Sequence, residues 1–174
     1  MRTSTPAPKR LIAVPGSRTA IEISLTLVRI FVGWHFLYEG VSKVFSPWSS
    51  AGYLMESQGP FSGVFHWIAE TPDVLRVVDT LNVAGIMLIG LSLFLGLLTR
   101  ISASTGAILL LFYYVANPPF IGYSGEATGE GHYLIVNKQL VEMAMLLVIA
   151  LLPRDLFWSV DRWIARIRRR RKDE

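Results

Sequence analysis

Arg29, His35, Glu39 and Lys43 recur along a single apolar stretch. On a helix turning about 100° per residue they share an arc of about 120°. Gly33 and Gly40 stand at the edge of that arc, and Leu27, Ile30, Phe31, Trp34 and Tyr38 occupy the other side. A second polar group, Asn137, Lys138 and Glu142, opens the last apolar stretch, and Asp79 and Asn82 open another. Tyr113, Tyr114 and Asn117 close a fourth, while His132 follows a glycine-rich run. Glu39 with Lys43, and Lys138 with Glu142, are four apart, the spacing of helical ion pairs. Acids placed beside bases in an apolar setting are the groups that relay protons, which points to Glu39, Glu142 and His132. Arg29, His35, Lys43, Asn82, Tyr113, Asn137 and Lys138 are candidates to hydrogen-bond a ligand.

Other chemistries lack their residues. With no cysteine, disulfides, thiolate metal sites, CxxC redox pairs and covalent haem attachment are excluded. A di-iron carboxylate bundle needs Glu-x-x-His on two helices, and the chain has none. Only His35 lies within an apolar stretch, so bis-histidine haem is disfavoured, and no metal site is expected. There is no Walker A motif, no HExxH and no nucleophile with an evident base, which argues against an autonomous enzyme.

The elements that must carry these residues are helices in a membrane. The 174 residues are 52% hydrophobic, and the apolar ones are bunched at 21–38, 77–98, 101–116 and 134–152. A span needs roughly 17–25 residues. The expectation is an all-α, polytopic membrane protein: a four-helix transmembrane bundle over 20–153, after a mobile arm at 1–19. A basic amphipathic helix at 154–174 follows, with Leu156, Val160, Trp163, Ile164 and Ile167 opposite its arginines, the pattern of a segment lying on anionic headgroups. A topology-setting basic tail accounts for the same residues.

Arg2, Lys9, Arg10, Arg18, Arg100, Arg154, Arg162, Arg166, Arg168, Arg169, Arg170, Arg171 and Lys172 fall on one side of an even-spanning chain. The positive-inside rule then puts both termini in the cytoplasm, in the inner (plasma) membrane. A cleaved signal peptide is not expected, because Pro15 and Gly16 interrupt the only apolar run that follows Lys9 and Arg10. The long first outer loop, 46–76, is expected to hold an interfacial helix near 61–70, ended by Thr71-Pro72. Its Trp48, Phe61, Phe65 and Trp67 suit an aromatic belt. In the next helix Asn82, Gly85, Ile89, Ser92 and Gly96 form a stripe for close helix approach. The glycines at 122, 125, 129 and 131 permit a lid-like turn, and a plain flexible connection fits them equally.

Orientation gathers the polar residues. Glu39, Lys43, Asp79, Asn82, Tyr113, Tyr114, Asn117, Asn137, Lys138 and Glu142 all fall in the outer half, with Arg29 and His35 nearer the midplane. Convergent intramembrane charge, costing about 2.5–3.5 kcal/mol per residue at mid-helix, points to a ligand pocket. Pairs that only fix helix register, or residues that snorkel from helix ends, would use the same types.

The stretches "LVRIFVGWHFLYEGVSKVF", "GIMLIGLSLFLGLLTRISA" and "GHYLIVNKQLVEMAMLLVIALLP" resemble the DoxX/DoxD-like membrane protein family. The resemblance covers most of 21–153 and carries onto Arg29, Gly40, Lys43, Arg100, Asn137, Lys138 and Glu142. It implies a four-helix membrane bundle linked to respiratory or redox chemistry, since the family's name comes from a membrane subunit of thiosulfate:quinone oxidoreductase. The long aromatic loop and the basic tail depart from that enzyme. The expected function is a subunit of a quinone-linked redox system, with the quinone headgroup in the outer-half pocket and the bilayer and a redox protein as partners. A non-catalytic anchor for a periplasmic oxidoreductase is the alternative. A small transporter is disfavoured, because the chain shows neither an internal repeat nor paired broken helices.

Overall fold

The computed structural model describes residues 17–119, 135–153, 156, 158–161, 163 and 164. They form six helices: α1 Ser17–Phe45, α2 Ala51–Met55, α3 Ser62–Glu70, α4 Pro72–Leu95, α5 Thr99–Ala116 and α6 Lys138–Leu151. Helix ends follow local chemistry. α1 stops ahead of Pro47, which disfavours helical backbone at Ser46. Thr71, also before a proline, is extended at φ −103°, ψ 99°, so α3 ends there and Pro72 starts α4 at the position proline tolerates best. At the other end of α4, Gly96 takes φ 74°. The Leu97 N–H then reaches back to the Ser92 carbonyl (2.9 Å) and the Gly96 N–H to Leu93 (3.2 Å), a Schellman closure that needs a left-handed residue. α5 ends before Pro118-Pro119. Asn137 caps α6, its side-chain oxygen accepting from the Leu140 N–H at 3.1 Å.

α1, α4 and α5 are long and apolar enough to cross a membrane. α6, with 14 residues, is about 21 Å long against a hydrocarbon core of about 30 Å. Leu27, Phe31, Trp34 and Tyr38 of α1 are exposed, as the sequence pattern predicts, and so are Leu88 of α4 and Ile101 and Phe112 of α5. Large apolar side chains turned outward along such helices form a lipid-facing surface.

The long helices pack in the order α1–α4–α5–α6, and α6 also touches α1. The core contains Val32 and Phe36 of α1, Ile86, Ile89 and Leu93 of α4, Ala103, Ala107 and Leu110 of α5, and Leu146 and Ile149 of α6. All four helices meet at Gly106. A Cβ there would lie 3.1 Å from Leu146, 3.2 Å from Ile89 and 3.6 Å from Phe36.

The closest approach is between α1 and α4. A Cβ on Gly33 would sit 2.6 Å from the Phe94 nitrogen, and one on Gly90 2.8 Å from Leu37 Cα and 2.9 Å from the Gly33 carbonyl oxygen. Gly40 is filled against Met87 in the same way. Small residues therefore let these two backbones touch. The stripe read from the sequence is divided in two. Gly85 faces open space and Ser92 turns to α5, where it accepts from the Ser102 hydroxyl at 2.6 Å, while the contact with α1 is made by Gly90, which that stripe did not include.

The α4–α5 turn is held from two sides. Arg29, 2% exposed, donates to the carbonyls of Leu93 and Phe94 at the end of α4 and to that of Trp158 (3.0 Å) in the chain after α6. Asp161 accepts from the N–H groups of Leu98 (3.1 Å) and Thr99 (3.2 Å), capping α5 from a distant part of the chain. Leu98 has φ 47°, unusual for a residue with a side chain, and Asp161 grips its N–H. Thr26 and Glu22 complete the contact by accepting from the Trp158 backbone N–H and indole N–H. Of the C-terminal helix expected over 154–174, Val160, Asp161, Trp163 and Ile164 are helical, whereas Leu156 lies in a tight turn and Trp158, which reaches back to α1, and Ser159 are not helical; its other residues lie outside the described ones.

Candidate functional site

At the end of the bundle opposite this turn, a cavity of about 310 Å³ opens between α1, α2, α4, α5 and α6. His35 lines it between two carboxylates. Its Nδ1 lies 2.6 Å from Oε1 of Glu142, and its Nε2 lies 3.9 Å from Oε1 of Glu39. The Glu142 contact is close but lacks the alignment of a hydrogen bond. An imidazole between two carboxylates, with the side chains of His35 31% and Glu142 17% exposed, can pass a proton between α1 and α6 without a large movement. Lys138, Gln139, Tyr53 and Tyr113 complete the polar lining, against Phe36, Ile86 and Leu110.

The positions of these groups follow from the helices. His35 and Glu39 lie one turn apart on α1, on the flank that His35 turns to Glu142 of α6, while Gly33 and Gly40 hold α1 against α4. Glu142 is in the first half of α6, whose start the Asn137 cap defines. Tyr113 is gripped twice. Asn82 of α4 donates to its hydroxyl at 2.6 Å, and its backbone carbonyl accepts from the Tyr53 hydroxyl at 2.8 Å. The Tyr53 and Tyr113 rings meet edge to face, 6.0 Å apart.

Beyond that ring pair lies a second, larger and mostly apolar groove of about 860 Å³. Phe61, Val64, Phe65 and Ile68 of the α3 region face Val78 and Leu81 of α4 and Leu109 and Phe112 of α5 across it. Lys43 is the one ammonium in its lining among the described residues, 4.3 Å above the Trp48 ring and 5.9 Å from that of Tyr113. Trp48, Phe61 and Phe65, expected as an aromatic belt, line this groove, while Trp67 remains exposed.

Among the predicted site residues, the structure brings His35, Glu39, Tyr113, Lys138 and Glu142 to one cavity, with Lys43 and Asn82 on the adjoining groove. Asn137 is the α6 cap, and Asp79 is an anchor for α2, accepting from Ser49 (2.8 Å) and from the Ser50 backbone N–H (3.0 Å). Arg29 does not join them: it is level with the end of α4 at the far turn rather than at mid-depth below the cluster. His132 lies outside the described residues. Glu142 meets His35 rather than Lys138, and Lys43 meets the Trp48 ring, so neither expected i,i+4 pair forms among the described residues. Sequence reasoning missed Tyr53 and Gln139. Gln139 lines both cavities, and its buried Oε1 has no partner among the described residues. Its place beside Lys138, one step round α6 from the polar group, was the available signal.

A family model described as DoxX matches residues 24–117, more than half of the chain, spanning α1 to α5. Asn137, Lys138 and Glu142 lie beyond the match. None of the curated proteins and none of the solved structures matches the chain.

Proposed function

We propose, for a chain that belongs to the DoxX family of membrane proteins, that it serves as the membrane subunit of a quinone-linked redox system and binds the quinone headgroup between α1 and α6. The His35–Glu142 contact within a half-apolar cavity carries the reading. Reducing a quinone to its hydroquinone takes up two electrons and two protons. Lys138 and Tyr113 offer donors to the quinone oxygens, the Gln139 oxygen suits a hydroquinone O–H, and Glu142 and Glu39 exchange protons through His35. Electrons come from or pass to a partner redox protein. The cavity volume, at the lower end of ligand-site sizes, suits a single ring.

In this reading α6 is the fourth span, completed by residues that flank it. Both termini face the cytoplasm of a cell whose inner membrane holds the protein, with the cavity on the outer side. The placement of the basic residues supports that orientation. The α2–α3 segment then lies outside the inner leaflet, where a redox partner would dock.

The test is quinone binding by purified protein, with turnover measured in membranes. Glu142→Gln and His35→Asn should each lower turnover while leaving the protein folded. Normal turnover in both, with no quinone retained on purification, would refute the assignment. Loss of a co-purifying partner on replacing 46–71, with turnover intact in the cavity variants, would favour a purely anchoring subunit.

A further inference from the structure

We infer that the groove between α3, α4 and α5 is the tail channel of the same site. It takes the hydrocarbon chain of an amphiphile whose polar head lies against His35 and Glu142, and it gives that molecule sideways access from the bilayer. The inference rests on the headgroup reading above and adds the ligand's second half and its route.

Three observations carry it. The first is continuity: Tyr53, Tyr113 and Gln139 line both the polar cavity and the groove, so the edge-to-face tyrosine pair and one amide form a wall that the two share. The second is a polarity gradient. Lys43, Asn82 and Gln139 lie on the side of the groove that adjoins the cavity, in contact or sharing walls with Tyr113, whereas the α3 and α4 walls beyond are Phe61, Val64, Phe65, Ile68, Val78 and Leu81. A site for a wholly polar ligand has no use for those walls. The third is exposure at the rim: Val64 is 56% and Leu81 67% exposed, on helices whose outer faces are themselves apolar. The groove thus opens towards lipid and not only along the bundle axis.

A chain leaving lipid for this groove gains little hydrophobic energy, because lipid tails are as apolar as its walls. The groove therefore acts by shape and position. It spares the chain a bend out of the bundle while the head is seated, and it admits the head without passage through water. α2 and α3 form one wall, and Asp79 fixes that wall by holding the serines that start α2, so the loop after α1 becomes part of the ligand site rather than a mere connection.

The probe is a benzoquinone carrying a medium-length alkyl chain with a photoreactive diazirine at the chain end, used on the full chain in lipid nanodiscs. Mass spectrometry should place the cross-links on 61–68 and 78–82. The pair Val64→Trp and Leu81→Trp, at exposed positions where folding is not at stake, should lower that yield roughly tenfold, the scale of an overpacking penalty. A matching probe with the diazirine on the ring should label α1 and α6 near His35 and Glu142. Chain-end labels on the lipid-facing residues Phe31 and Leu88, unmoved by the tryptophans, would overturn the channel while the ring probe still upholds the headgroup site. A ring probe that labels nothing near the cavity would overturn both readings. A chain-labelled phospholipid that reacts in the groove and is not displaced by the quinone would overturn the channel by giving it another occupant.

Discussion

Gly90→Ala and Gly85→Ala make the same chemical change on one helix, five residues apart, with opposite consequences expected. A methyl at Gly90 would lie 2.8 Å from Leu37 Cα and 2.9 Å from the Gly33 carbonyl oxygen. Heavy atoms in contact prefer about 3.5–4.0 Å, so α1 has to withdraw by about 1 Å. Both obstacles are backbone and no rotamer change can relieve them. The cost belongs at the upper end of overpacking penalties, about 3 kcal/mol. At Gly85 the methyl meets nothing within 4 Å, and the better helix propensity of alanine makes the change neutral or stabilising by up to about 1 kcal/mol. Reversible unfolding in mixed micelles, titrated with denaturing detergent, measures both. The same withdrawal of α1 draws His35 away from Glu142, so, if the proposed quinone site is right, Gly90→Ala should also weaken quinone binding while Gly85→Ala leaves it intact. Equal destabilisation by the two substitutions would refute the close-contact account of the α1–α4 interface.

Other substitutions probe the two ends of the bundle. Arg29→Met keeps the aliphatic stem but leaves the carbonyls of Leu93, Phe94 and Trp158 without their donor. The loss should be about 3 kcal/mol, with hydrogen-exchange protection lost at the Trp158 and Asp161 amides. Asp161→Ala removes the cap on α5 and should cost about 1–2 kcal/mol, whereas Asp161→Asn, which still offers an acceptor oxygen, should recover most of it in the same unfolding assay. Tyr113→Phe strands the Asn82 amide, whose Oδ1 already has no partner among the described residues. A loss of about 1–3 kcal/mol with weakened ligand binding is expected by unfolding and binding measurements together.

Much of the architecture was legible because membrane helices announce themselves locally. Period alone set Leu27, Ile30, Phe31, Trp34 and Tyr38 apart from the polar arc of α1, and all of them but the half-buried Ile30 are exposed. The break at Thr71-Pro72, the short α3 and the stop before Pro118 follow from proline sterics that act within a residue or two. Membership of the DoxX family, matched over 24–117, was readable from the same stretches. α2 was not foreseen: its five residues carry no cap of their own and are held by Asp79, twenty-four residues beyond the helix's last residue, Met55.

What the tertiary structure alone decided is which polar residues meet. Helical period says that Arg29, His35, Glu39 and Lys43 share a face, but not what stands opposite each of them. That depends on the axial register and rotation of α1 against α4 and α6, which the Gly33–Gly90 contact determines. In that register Arg29 falls level with the end of α4 and binds its free carbonyls, while His35 comes up against Glu142, more than a hundred residues away. One row of charges was thereby divided between two tasks: Arg29 secures the α4–α5 turn, and His35 and Glu39 line the cavity. Spacing along a helix is a local property, and the partner across the interface is not.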